Sequence, residues 1–105
     1  MESIENKVVW VTGASSGLGK ALAAEFALQG AEVILSARRF DELENVRVGL
    51  LNADRHISIA MDITDESQVM HAYEQVLAKK GRIDLLINNA GLSQRALISE
   101  TTMLT

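Results

Sequence analysis

The sequence holds no cysteine, which excludes a disulfide framework and any thiolate metal site. Its two histidines, His56 and His71, do not make a zinc cluster, and each reads as a solvated side chain. Proline is absent too, so nothing resembles a stiff linker between domains, and neither repeats nor low-complexity tracts interrupt the chain. No apolar run approaches the ~18 residues that a membrane span needs. The start, Met1 to Lys7, lacks the basic, apolar and small-residue sections of a secretory signal, and a cytoplasmic location is expected. Basic charge is short: 10 Lys and Arg against 14 Asp and Glu leave a net charge of -4. The cations are scattered rather than gathered into a stripe, so nucleic acid is not an expected partner.

What is present is an ordinary globular balance, 48% hydrophobic and 23% charged over 105 residues, enough for one domain spanning 1–105. Val8-Val9-Trp10-Val11 is apolar on both faces and too short for a helix, which reads as a buried parallel strand. Leu18, Leu22 and Phe26 then recur at helical spacing up to Gly30, a terminating glycine. Val33-Ile34-Leu35 forms a second strand, followed by a helix carrying Phe40, Leu43, Val46 and Leu50, with Asp41 and Glu42 in its first turn. A third strand over residues 57–61 precedes a helix capped by Thr64, with Val69, Tyr73, Val76 and Leu77 as its apolar stripe and Lys79-Lys80-Gly81 at its end. Leu85-Leu86-Ile87 is the fourth strand. This alternation predicts an α/β, Rossmann-like, doubly wound parallel sheet of order 3-2-1-4 in three α/β/α layers, truncated after the fourth strand. Ligand binding is expected at the switch point between strands one and four, where the Gly13 and Asn88 loops meet.

Gly13-Ala14-Ser15-Ser16-Gly17-Leu18-Gly19 lies between the strongest strand and the strongest helix. Gly13 permits a tight turn, Gly17 lets backbone approach a pyrophosphate, and Gly19 lets the helix pack on the sheet without a Cβ in the way. The helix start offers N–H groups and positive potential to phosphates. A magnesium-binding P-loop is excluded, because Gly19-Lys20 leads into Ala21 and supplies no hydroxyl.

Thr12-Gly13-Ala14-Ser15-Ser16-Gly17-Leu18-Gly19 together with Asn88-Asn89-Ala90-Gly91 resembles the short-chain dehydrogenase/reductase superfamily. Leu35-Ser36-Ala37-Arg38-Arg39 and Gly91-Leu92-Ser93-Gln94-Arg95 narrow the likeness to its dehydrogenase/reductase member 7 branch. The resemblance covers nearly the whole chain, but only the first four strands of a longer fold. It implies that Ser15, Ser16, Gly17 and Leu18 contact the phosphates and the nicotinamide side, that Asp62 and Ile63 bracket the adenine, and that Asn89, Ala90 and Gly91 line the adenosine ribose. Taken on the residues alone, Asp62 also suits a helix-capping carboxylate beside Thr64. Asn88 suits a strand-tying role as well as a ligand role.

An NAD site places a carboxylate at the end of the second strand, about 20 residues after the glycines, to hold the ribose 2′-hydroxyl. Here Ala37 stands in that place, followed by Arg38 and Arg39, which suit a 2′-phosphate. NADP(H) is therefore expected in preference to NAD(H), with no metal. As alternatives, both arginines are solvated residues at a helix start.

The resembled family reduces carbonyls with a Tyr, a Lys four residues on, and a Ser. The sole tyrosine, Tyr73, has Leu77 at that spacing and suits core or rim packing, and Ser93 comes too early to be the family's catalytic serine. No catalytic residue is expected in this chain. The expectation is the cofactor-binding half of an NADP(H)-dependent oxidoreductase acting on an alcohol or carbonyl, its small-molecule substrate bound only in a full-length form. The alternative is a non-catalytic dinucleotide-binding or regulatory module, or part of a split enzyme. In either case the edge formed by Leu85, Leu86 and Ile87 invites self-association.

Overall fold

The computed structural model describes residues 3–89. Its regular elements are β1 (Val8–Thr12), α1 (Gly17–Leu28), β2 (Glu32–Ala37), α2 (Phe40–Arg47), β3 (Ile57–Ala60), α3 (Glu66–Lys80) and β4 (Leu85–Ile87), with a short 3₁₀ turn at Ala53–Arg55. The strands form one parallel sheet in the order β3-β2-β1-β4, as the alternation predicts. Val9 pairs with Val33 on one side and Leu85 on the other, so β1 is a central strand and all five of its residues are buried. That double burial is why it reads as an unbroken apolar run rather than as an alternating one.

Alternate residues of each strand serve opposite layers. Val9, Val11, Val33, Leu35 and Ile87 pack with Ala23 and Ala27 of α1 and with Leu43 and Val46 of α2. Val8, Trp10, Ile34 and Ile59 pack with Ala72 and Val76 of α3. The Trp10 indole nitrogen is buried on this second face and donates to the Ser36 hydroxyl at 2.8 Å, so its polar atom is satisfied inside the core.

Several details depart from the apolar periodicity. The buried line of α1 is Gly19, Ala23 and Ala27, whereas Leu22 and Phe26 flank it and Leu18 is 52% exposed. Small side chains let the helix lie close to the sheet, and the bulkier neighbours fill the sides. Phe40 likewise points outward from α2, which ends at Arg47 before Leu50 is reached. The α3 cap is Asp65 rather than Thr64, its carboxylate accepting from the Ser67 and Gln68 amides, and Tyr73 stands on the helix rim. Met61 lies just beyond β3 but is buried.

The expected helix ends are in place. After α1, Gly30 adopts φ +92°, its amide donating to the Ala27 carbonyl and that of Ala31 to the Phe26 carbonyl, a Schellman closure.

His56 is corrected from a solvated to a buried residue; His71 is exposed as expected. The Val33 amide donates to His56 Nδ1 at 3.0 Å, so Nε2 carries the proton and donates to the Leu51 carbonyl at 2.8 Å. The imidazole thus extends the hydrogen bonding of β2 beyond the start of β3. Nearby, Lys80 and Arg55 converge on Glu32 at 2.7 and 3.3 Å. Below β4's start, Asp84 Oδ2 accepts from the Val8 amide and from Arg82 Nε, both at 2.8 Å. These polar clusters lie at the N-terminal ends of the strands, opposite the glycine loop.

Candidate dinucleotide site

At the C-terminal ends of β1, β2 and β3 a cleft of about 330 Å³ opens, lined by Thr12, Gly13, Ser15, Ser36, Ala37, Arg38, Arg39, Glu42, Met61, Asp62, Ile63 and Thr64. A parallel sheet forces this arrangement: every strand leaves the sheet at the same end, so the loops after β1, β2 and β3 gather there.

The loop after β1 is set by backbone geometry. Gly13 and Gly17 adopt φ +65° and +58°, a region costly for other residues. The Ala14 amide donates to the Ser36 carbonyl at 3.1 Å, fastening the loop to the end of β2. A Cβ at Gly19 would collide with the Gly13 carbonyl and come within 2.9 Å of Asn89 Nδ2, so the start of α1 rests directly on the loop. At Gly17, by contrast, a Cβ would meet nothing within 4 Å. Gly17 therefore serves the space outside the loop, and Gly19 serves the packing beneath it.

The first turn of α1 suits an anion. Ser16 is the residue preceding the helix, yet its side chain makes no capping hydrogen bond, and the first turn contains no acidic residue. Among the described residues no side-chain cap bonds to the amides of this first turn, and the helix dipole adds positive potential there. This arrangement fits a diphosphate without further adjustment.

The β2 wall carries the arginines. Ala37 ends the strand, Arg38 follows, and Arg39 precedes α2 as its N-cap residue, again without a side-chain capping bond. Both guanidinium-bearing residues line the cleft and are exposed. The periodicity gave no sign that Glu42, one turn into α2, would also line it, with Oε2 3.4 Å from Arg39 Nε. Reading only the strand end for a carboxylate overlooks one delivered by the following helix. In the sequence Glu42 carries only the signal of an acidic first-turn residue, which marks the start of α2 and not the cleft.

Across the cleft, Asp62 and Ile63 follow β3. The Asp62 carboxylate accepts from the Thr64 hydroxyl at 2.6 Å and from the Thr64 amide at 2.9 Å. These bonds, with the more distant charge of Arg38, hold Asp62 below the usual carboxylate range. Asp62 thus shapes the turn ahead of α3, as its proximity to Thr64 suggested, while also lining the cleft.

On the β4 side, the Asn89 amide donates to Thr12 Oγ1 at 2.8 Å, and Asn89 Nδ2 lies 3.5 Å from the Gly13 carbonyl. Thr12 Oγ1 is also 3.2 Å from Asn88 Oδ1 and 3.3 Å from the Ile87 carbonyl. Asn88 therefore ties β4 to β1, whereas Asn89 stands beside the glycine loop. Ala90 and Gly91 lie outside the described residues, as does Ser93. Gly13, Ser15, Arg38, Arg39, Asp62 and Ile63 meet around the cleft, and Ser16, Gly17, Leu18 and Gly19 continue from it into α1. Tyr73, on α3, does not line it. Among the described residues no cluster of three or more His, Cys, Asp or Glu could hold a metal, and no helix is long and apolar enough to cross a membrane.

A short chain dehydrogenase family model matches residues 7–104. Dehydrogenase/reductase SDR family member 7 of Mus musculus is 43% identical over 105 residues, covering 95% of this chain and 31% of that protein. The 3-oxoacyl-[acyl-carrier-protein] reductase FabG of Thermotoga maritima is 40% identical over 99 residues, covering 90% of this chain and 39% of its own length. The chain thus spans between about three and four tenths of these curated relatives. Among solved structures, L-sorbose reductase from Gluconobacter frateurii, complexed with NADPH and L-sorbose, superposes with a TM-score of 0.80 at 36% identity, covering 93% of this chain and 38% of that one. The 3-ketoacyl-(acyl-carrier-protein) reductase of Brucella melitensis, complexed with NADH, gives a TM-score of 0.79 at 38% identity, covering 89% and 37%.

Proposed function

Because this chain belongs to the short chain dehydrogenase family, we propose that it is the cofactor-binding part of an NADP(H)-dependent oxidoreductase acting on an alcohol or carbonyl substrate. One observation carries the cofactor preference: Arg38 and Arg39 share a cleft with the glycine loop, and the strand leading to them ends in Ala37 rather than in a carboxylate.

In this reading the amides at the start of α1, from Gly17 to Gly19, hold the diphosphate. Ser15 and Ser16 are within the same loop and offer hydroxyls to it. Asp62 and Ile63 flank the adenine from the β3 side, and Arg38 forms a charge-assisted contact to the 2′-phosphate. Asn89, held beside Gly13, borders the ribose, with Ala90 and Gly91 completing that wall. The bound dinucleotide supplies the hydride. Proton transfer and substrate recognition belong to residues other than those around this cleft, since Tyr73 stands away from it.

The relatives' bound cofactors support a nicotinamide dinucleotide in general, one with NADPH and one with NADH, so the preference rests on this chain's own arginines. A charge-assisted hydrogen bond is worth about 1.5–3 kcal/mol, and exposure of Arg38 places its contribution at the lower end, about tenfold in affinity. Calorimetric titration of the purified chain should show NADPH binding about tenfold tighter than NADH. The double substitution Ala37→Asp with Arg38→Asn should erase or reverse that ratio. Equal affinities in the wild type, or a ratio untouched by the double substitution, would reject the preference.

We also infer that the outer edge of β4 is an association surface. Among the described residues β4 pairs only with β1, and Leu85 and Leu86 are half-buried beside that edge.

A further inference from the structure

The cleft proposed to take the 2′-phosphate holds two cations and two carboxylates, and they are not equivalent. Asp62 on the β3 wall is engaged twice by Thr64. Glu42 on the α2 wall has Arg39 as its ion-pair partner, at 3.4 Å, with the two side chains 45% and 69% exposed. Arg38 forms no ion pair among the described residues. Glu42 is the third residue of α2, where the helix dipole favours a carboxylate, and Arg39 is the residue that opens the helix. The pair is therefore built into the first turn of α2, beside the place where β2 delivers Arg38.

Resting on the cofactor reading above, we propose that Glu42 sets how strongly the cleft selects a 2′-phosphorylated dinucleotide: its carboxylate occupies Arg39 and opposes the phosphate, leaving Arg38 as the principal reader. A phosphate monoester carries about -1.5 to -2 charges at neutral pH, so it meets an attractive Arg38 and a repulsive Glu42 in one exposed site. A 2′-hydroxyl is neutral and feels neither strongly. Glu42 thus lowers affinity for the phosphorylated cofactor without a matching effect on the unphosphorylated one, narrowing the ratio that Arg38 creates.

The test uses the purified chain, titrated calorimetrically with adenosine 2′,5′-bisphosphate and with 5′-AMP, in wild type, Glu42→Gln, Arg39→Gln and the double variant. Exposed charge pairs of this kind change equilibria by about two- to fivefold. Glu42→Gln should therefore tighten the bisphosphate by about that factor at low salt and leave 5′-AMP unmoved. The gain should shrink when Arg39 is also Gln, and should fade near about 0.5 M salt, where screening shortens the range of the interaction. A helix-capping or merely structural role for Glu42 would move both ligands together, and that result overturns the proposal. So does a bisphosphate affinity that is unchanged or weakened in Glu42→Gln, or a gain undiminished in the Arg39→Gln background. A wild-type chain that holds the two ligands equally overturns instead the cofactor preference beneath it. A wild type that discriminates while Glu42→Gln fails to sharpen the discrimination overturns the role of Glu42 alone.

Discussion

The carbonyl of Gly13 occupies the space in which a side chain at Gly19 would begin. The loop that leaves β1 and the helix that follows are thereby locked at a separation only glycine allows. Gly17, two residues earlier, has φ +58° and open space around it. The two glycines answer different demands, and substitution separates them.

Gly19→Ala must push α1 away from the loop, at about 1–3 kcal/mol for overpacking, and the displaced amides should lose dinucleotide affinity as well. Gly17→Ala costs only the left-handed backbone, about 1–2 kcal/mol, yet places a methyl group where backbone should approach phosphate. Denaturant titration paired with NADPH calorimetry checks both. Affinity should fall in each variant, with the larger stability loss at Gly19.

His56 predicts a pH dependence at the mildly acidic end. Burial is the main force lowering its pKa, the Leu51 carbonyl works against it, and the charges of Arg55 and Lys80 lower it further against the opposing charge of Glu32. The folded form therefore binds fewer protons than the unfolded form, whose histidine titrates near about 6.5. Stability from the neutral ring is complete above that pH and declines as the pH falls toward the lower folded value, by at most about 1.4 kcal/mol per pH unit. Protonation also removes the acceptor for the Val33 amide. His56→Ala should flatten the slope of stability below about pH 6.5 while costing about 1–3 kcal/mol at neutral pH through the unpaired amide. A slope that persists in the variant would place the titration elsewhere.

Asp84 governs a separate, more acidic window. Burial raises its pKa, but the Val8 amide and Arg82 outweigh that effect, with a smaller contribution from Lys7, so the net shift is downward. Its stabilisation is present above the unfolded value of about 3.9 and is lost as the pH falls through the lower folded value. Asp84→Asn should cost about 1–3 kcal/mol at neutral pH by weakening the charge-assisted bond from Val8, Arg82 being half exposed and contributing less. It should also reduce the loss of stability below about pH 4. Urea midpoints measured from pH 3 to 7 resolve this window from that of His56.

If the outer edge of β4 pairs with further chain, the purified chain should self-associate in a concentration-dependent way. A charge in the strand, Leu86→Lys, should shift light-scattering mass toward the monomer. A monodisperse monomer at tens of micromolar in the wild type argues against this edge as an association surface.

Much of the fold was legible because its signals are local. A four-residue apolar run at Val8-Val9-Trp10-Val11, β-branched and aromatic and too short for a helix, reads as a doubly covered strand, and a glycine after a helix is recognisable from chain chemistry alone. Gly30 and Gly81 both take positive φ where the periodicity ended. The cofactor loop was legible for the same reason, since a turn of left-handed residues between a strand and a helix admits little besides glycine.

Other assignments failed where neighbours far along the chain decided the outcome. Periodicity identified α1 but rotated its buried face, because contact with the sheet rewarded Ala23 and Ala27 over the larger Leu18. His56 was read as solvated because the residues that enclose and pair with it, Val33 and Leu51, are not its adjacent residues in sequence. Glu42 carried an acidic first-turn signal, but only the packing of α2 showed that the turn faces the cleft.

The sequence by itself determined the alternation of strands and helices, the two positive-φ glycines of the loop, and the substitution of Ala37 and Arg38 for an acidic strand end, since each depends on residues within one or two turns of backbone. The tertiary structure alone decided which face of each helix is buried, which histidine loses its water, and which carboxylates meet the arginines. Those outcomes depend on atoms brought together across the sheet, where close packing and the loss of solvent set the energies.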